Sequence, residues 1–142
     1  LIAAHGGHTH VVKELIQNNA AVDKAGNENR TPLWMAAQHG HTEAVKVLVQ
    51  HRANMDKARL DCNCTPLYMA AQNGHNEVVQ LLVLQRADVN EALTEKEEPP
   101  LVTEEGYRTT SAWTPLAIAT HVAAQKSSHA KIRDLLRAHG GR

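Results

Sequence analysis

The sequence predicts an all-α protein, an α-solenoid of stacked helix-turn-helix units joined by short projecting hairpins or loops. Three observations predict it. The phrase "TPLWMAAQHGH" begins at Thr31 and returns as "TPLYMAAQNGH" at Thr65, with nine of its eleven letters unchanged. Gly7, Gly40 and Gly74 are spaced 33 and then 34 residues apart. The segments "HTHVVKELIQNNA", "HTEAVKVLVQHRA" and "HNEVVQLLVLQRA", starting at His8, His41 and His75, align without gaps. A fixed period of this length marks a repeat array, in which a unit too small to bury its own apolar face buries it on its neighbour.

The 142 residues read as a single domain of units at about 1–25, 26–58, 59–92 and 109–142, with an insert at 93–108. The first unit lacks the Thr-Pro-Leu start, and Leu1 aligns with Trp34 and Tyr68. Its opening helix is cut short, and the alignment leaves Leu1, Ile2 and Leu15 exposed on its edge. End repeats normally carry a polar outer face. The chain is therefore expected to be a piece of a longer one, or to lack its earlier residues.

The second unit shows the local logic in full. Thr31 caps a helix and Pro32 fits its first turn, where a missing N–H is harmless. Ala36 and Ala37 let a neighbouring helix approach closely. Gly40 supplies the left-handed conformation that ends the helix. Glu43 suits the first turn of a second helix, and Val45, Leu48 and Val49 form its buried stripe at helical spacing. The repeated histidine of each unit is expected to order the turn between the two helices. The polar segments "NENR" at 27–30 and "DCNC" at 61–64 fall between units, and the latter carries the extra residue behind the 34-residue spacing.

The insert "LTEKEEPPLVTEEGYR" carries five glutamates against one lysine and one arginine, a net charge of −3. Pro99-Pro100 interrupts any helix there. It reads as a solvated acidic loop or as a finger beside the tips. Residues 111–142 are basic, with five Lys and Arg against Asp134. In this last unit Arg133 replaces the valine of the other copies, and Ser128 offers a cap in place of glycine. This unit is expected to close the stack.

The phrases "TPLWMAAQHGHTEAVKVLV" and "TPLYMAAQNGHNEVVQLLV" resemble ankyrin repeats, in which a Thr-Pro-Leu start, an Ala-Ala pair, Gly-His and a Val/Leu-rich second helix recur. The resemblance covers residues 1–92 and 109–142. It implies a non-catalytic protein–protein interaction scaffold, whose partner lies across the hairpin tips and the concave inner-helix face. Carried over residue by residue, it implicates Asn27, Glu28 and Arg30 in one tip, and Asp61, Cys62 and Cys64 in the next. On the inner helices it implicates Trp34, Gln38 and His39, then Tyr68, Gln72 and Asn73. Trp34 and Tyr68 are expected to act as aromatic anchors inside a polar rim, and Trp113 sits at a further tip as either a stack residue or an anchor. "LVLQRADVN" resembles the segment in which asparagine hydroxylation occurs in some ankyrin repeats, which makes Asn90 a modification candidate. Thr109, Thr110 and Ser111 are candidates for phosphorylation.

Composition narrows the partner classes. Lys plus Arg equals Asp plus Glu at 15 each, so no bulk charge attracts nucleic acid. No apolar run approaches the roughly 18 residues of a membrane span. The two cysteines, Cys62 and Cys64, read as loop thiols of an intracellular protein. Ten histidines raise the question of a metal, but His8, His41, His75 and His129 recur at repeat positions. Helices stacked roughly 8–10 Å apart cannot bring that column onto one ion. No metal, cofactor or catalytic grouping is expected. Two other roles remain open: a linker or subunit segment of a larger repeat assembly, and a substrate-recruiting module of a larger enzyme.

Overall fold

The inner helices of the second and third units begin where the sequence supplies threonine followed by proline. Thr31 Oγ1 accepts the Trp34 N–H at 3.0 Å, and Thr65 Oγ1 accepts the Tyr68 N–H at 3.2 Å. Both threonines have extended backbone, which carries the hydroxyl over the first turn. The computed structural model describes residues 1–60, 63–90, 114–116 and 127–140. Its helices are α1 (Ile2–His5), α2 (Thr9–Gln17), α3 (Pro32–Gln38), α4 (Thr42–Gln50), α5 (Pro66–Asn73), α6 (Asn76–Leu84) and α7 (Ser127–Ala138). A 3-10 turn covers Asn27–Asn29, and no strand occurs among the described residues.

The helices form two layers. In the inner layer α1 packs on α3 and α3 on α5; in the outer layer α2, α4, α6 and α7 pack in sequence. Hairpin pairing of α1 with α2, α3 with α4 and α5 with α6 joins the layers. The protein is the all-α repeat solenoid that the period predicts.

The Gly-His pair couples one helix pair to the next. Gly40 has φ 71, and a Cβ there would lie 2.5 Å from Nδ1 of His75. The glycine is thus required twice, by its backbone conformation and by the ring resting on it. His41 Nε2–H donates to the His5 carbonyl at 2.9 Å, and His75 Nε2–H to the Gln38 carbonyl at 3.0 Å. His129 makes the same bond to the Gln72 carbonyl at 3.1 Å. The repeated histidine is therefore a strut between successive helix pairs, a longer reach than the turn-ordering role read from the sequence. A second ladder runs through the loops that follow the outer helices. There the Asp23 carboxylate accepts the Asn54 N–H at 3.0 Å, and Asp56 accepts the Asp88 N–H at 2.9 Å.

Stacking decides what is buried. Val11 and Leu15 on α2 are 43% and 47% exposed, whereas their counterparts Ala44 and Leu48 on α4 are 0% and 1% exposed. Val78, Leu82, Ile132 and Leu136, at the same two positions, are all at 0%. A preceding helix pair covers these later positions, and nothing described covers the first. Leu1 and Ile2 are also exposed, as the alignment anticipated. The stripe on α4 is wider than its expected set of Val45, Leu48 and Val49: Ala44 and Val47 are buried and Val49 only half so. Helices on both sides, α2 and α6, cover more than one face of α4.

The last described helix differs in its start. α7 already includes Ser127, so Ser128 lies within the helix and is not its cap. The other copies have a positive-φ glycine at this place; with serine instead, helical backbone continues into His129. Arg133 is half-buried and its Nε–H donates to Asp134 at 2.9 Å. The insert at 93–108, and Thr109, Thr110 and Ser111, lie outside the described residues.

Candidate functional site

The structure separates the sequence-selected residues into three groups. Trp34 and Tyr68 belong to the core, at 1% and 6% exposure. This corrects the expectation of exposed aromatic anchors. The physical reason is the stacking itself: α3 lies between α1 and α5, so Pro32 through Ala37 are all buried. Only the last residue of α3 and those beyond it emerge. Trp34 also spans two units, because its Nε1–H donates to the Cys64 carbonyl at 2.9 Å and its ring lies 5.5 Å from the Arg59 guanidinium. Burial pushes the Tyr68 phenol above its ordinary pKa. Cys64 is likewise corrected: it is buried and disulfide-bonded, not an exposed loop thiol. Asn63, just before it, has φ 50, in the left-handed region. Asp61, Cys62 and Trp113 lie outside the described residues.

The second group is a fixed tip. Asn27 and Glu28 are exposed and Arg30 is half-buried. Glu28 and Asn29 both have positive φ, which folds the tip tightly. The Glu28 carboxylate accepts from Arg30, through Nε–H at 3.0 Å and again through its terminal nitrogen, and from Arg59 at 2.7 Å. The hydrogen bond from Arg30, with the positive fields of Arg30 and Arg59, holds the Glu28 carboxyl below its ordinary pKa. The adjoining tip is tied on by backbone-directed bonds. Asn29 Nδ2–H donates to the Ala58 carbonyl at 2.9 Å, and the Leu60 N–H donates to the Glu28 carbonyl at 3.0 Å. The Leu60 side chain is left 78% exposed on this braced surface.

Leu60 and Arg59 were not among the residues chosen from sequence. The signal for Leu60 was present, as one large aliphatic residue inside a polar turn segment. For Arg59 there was none, since its role depends on Glu28 and Trp34 of the preceding unit.

The third group is the row of inner helix ends. Gln38 is half-buried, while His39, Gln72 and Asn73 are exposed. Asn73 Nδ2–H donates to the Met69 carbonyl at 2.9 Å. His5, at the end of α1, joins this row although the sequence reading passed over it. Its ring meets His39 edge-on with centroids 4.4 Å apart, and His39 stacks at 6.0 Å from His41. Partial burial first, then the fields of His5, His41 and His75, hold His39 below its ordinary pKa. Asn90 stands apart from all three groups. It is exposed beyond the outer helices, and its side-chain amide donates to the Gly140 carbonyl at 3.3 Å.

Two hollows, apolar or open, lie at the α1–α2 edge, one lined by Leu1, Ala4, Leu15 and Val22 and the other by Leu1, Lys24 and Gly26. Among the described residues no group of three or more His, Cys, Asp or Glu is placed to hold a metal ion. No described helix is long and apolar enough to cross a membrane.

Comparison with known proteins agrees with the geometry. Residues 1–93 match the family described as ankyrin repeats (3 copies), whose members are generally protein–protein interaction modules and typically non-catalytic. No curated protein matches the chain. The matched span contains α1 through α6 with their caps, glycine turns and histidine struts, and on that match the chain belongs to the ankyrin repeat family.

Proposed function

We propose that this chain is a non-catalytic scaffold that binds a partner protein across the braced tips and the inner helix ends. The observation that carries the reading is Leu60, a 78% exposed aliphatic side chain on a tip held by three cross-unit bonds. An apolar side chain on a fixed backbone, rimmed by Glu28, Arg30 and Arg59, is the composition of an interface anchor with a polar rim. Asn27, Gln38, His39, Gln72 and Asn73 extend the contact surface. The single-domain reading with a closing unit at 109–142 is supported by the packing of α7 on α6 and by the His129 strut to Gln72.

Site-directed photo-crosslinking of the whole chain tests this reading. Probes at Leu60 and Gln72 are expected to capture a partner that probes at Lys46 and Gln80, on the outer helices, do not. Leu60→Asp is then expected to weaken that partner about 10- to 100-fold, equivalent to about 1.4–2.7 kcal/mol, with helicity unchanged. Capture confined to the outer-helix probes would overturn the reading. A second reading, a segment of a larger repeat assembly, is favoured by the exposed Ile2, Val11 and Leu15, whose counterparts elsewhere are sealed by a neighbouring pair. For Asn90, intact-mass measurement of the native protein decides whether an oxygen has been added.

A further inference from the structure

We propose that the histidines at the ends of the first two inner helices form a proton-dependent receptor for a side-chain carboxylate of an acidic peptide segment. The proposal rests on the inner helix ends being a partner-binding face, and it specifies the chemistry of what that face takes.

His5 and His39 meet at 4.4 Å and His41 lies 6.0 Å beyond, so three imidazoles share one exposed patch. Their commitments differ. His41 spends its Nε2–H on the His5 carbonyl, and His75 spends its own on the Gln38 carbonyl. These two are struts, whereas the His5 and His39 rings make no hydrogen bond within the described residues and are exposed.

The charges around the patch have one sign. The titratable groups whose fields reach His39 are His5 on α1, His41 in its own turn and His75 beside α5, and no described carboxylate acts on it. The carboxylates of the neighbouring helices are engaged elsewhere: Glu14 with His10 on α2, Glu43 with Lys46 on α4, and Glu77 with Thr42. Each proton added to the patch therefore meets other imidazole groups, with no anion among the described residues to offset it. A carboxylate from outside supplies that anion, and the proton and the ligand bind together.

The flanking groups favour a peptide over a polyanion. Gln38, Gln72 and Asn73 are neutral amides, suited to hydrogen-bonding a main chain. A nucleic acid needs a run of fixed cations, and the chain has a formal net charge of zero. A metal is a poor occupant, since the His41 Nε2 is already used.

The test uses the whole chain with labelled hexaglutamate, matched hexaglutamine and a single-stranded oligonucleotide as probes. Hexaglutamate is expected to bind about tenfold tighter at about pH 6 than at about pH 8, with proton uptake and a rise in the His39 pKa followed by NMR. Hexaglutamine is expected to show no such gain. His39→Asn, which places at this site the residue that the next unit carries at Asn73, is expected to remove most of it, as is His5→Gln. Equal hexaglutamate affinity at both pH values, or a full gain retained in His39→Asn, overturns the proposal. An oligonucleotide that gains more than hexaglutamate on acidification overturns it as well. If the acidic peptide fails while crosslinks still gather at Leu60, the carboxylate inference falls and the scaffold reading stands. Loss of the Leu60 crosslinks is what removes the latter.

Discussion

The inner helices α3 and α5 are near copies that differ at two places, and the two places have opposite fates. Trp34 and Tyr68 are sealed in the core, whereas His39 and Asn73 stand in solvent. Variation between copies is therefore not a guide to exposure. At the first place it records a fit between units, since Trp34 reaches the Cys64 carbonyl and the Arg59 guanidinium of the following tip. At the second it records chemistry displayed outward. Burial, not repetition, separates the two.

The sharpest way to break this comparison is to truncate the buried member in each helix. Trp34→Ala is expected to cost about 3–5 kcal/mol, the range for large aromatic residues lost from a core. Tyr68→Ala, at a site slightly more exposed, is expected to cost less. Urea denaturation followed by circular dichroism measures both. A Tyr68→Ala penalty larger than that of Trp34→Ala would show that the indole's reach into the next tip adds little.

The coupling between units gives the next effect. Gly40→Ala forces a Cβ into left-handed backbone at φ 71 and against the His75 ring. The backbone strain alone is worth about 1–3 kcal/mol. His75→Ala removes the strut to Gln38, and in the Gly40→Ala background its cost should shrink, because the displaced ring has already lost its place. A double-mutant cycle reads that coupling. Full additivity would mean that glycine and histidine act independently.

The caps test how far the two helices are equivalent. Thr31→Ala and Thr65→Ala each remove one side-chain acceptor from the same helical position, and each is expected to cost about 1 kcal/mol. Equal penalties are expected because the hydroxyl geometry is matched, at 3.0 and 3.2 Å. A large difference between them would place the dominant contribution in tertiary context.

The scaffold was legible in the sequence because its determinants are local. Thr31, Pro32 and Gly40 announce a cap, a first turn and a left-handed exit through letters a few residues apart. The partner face was legible only in part. Gln38, His39, Gln72 and Asn73 do emerge at the helix ends, but their exposure depends on how far the neighbouring helices reach along α3 and α5. The same dependence put Trp34 and Tyr68 in the core. The tip was harder still, since the Glu28–Arg59 contact joins side chains 31 residues apart and no periodic pattern encodes it. Likewise His5 meets His39 only after the stack has formed.

The smallest expected effect concerns the exposed member of the pair. His39 has a folded-state pKa below its ordinary value of 6.5, from partial burial first and then from His5, His41 and His75. Below that ordinary value the unfolded chain binds the His39 proton more readily than the folded one. This contribution to stability is therefore complete above about pH 6.5 and declines as the pH falls toward the folded-state value, levelling off beneath it. The ring is mostly solvated and its field screened, so the decline is shallow. His39→Asn gives α3 the ending of α5 and should flatten the decline without changing stability near neutral pH. Urea midpoints of both proteins, taken at about pH 7.5 and about pH 5.5 across the histidine range, decide it. A variant that loses more stability in acid than the parent would mean that His39 is stabilised as a cation, and that an anion already lies within its reach.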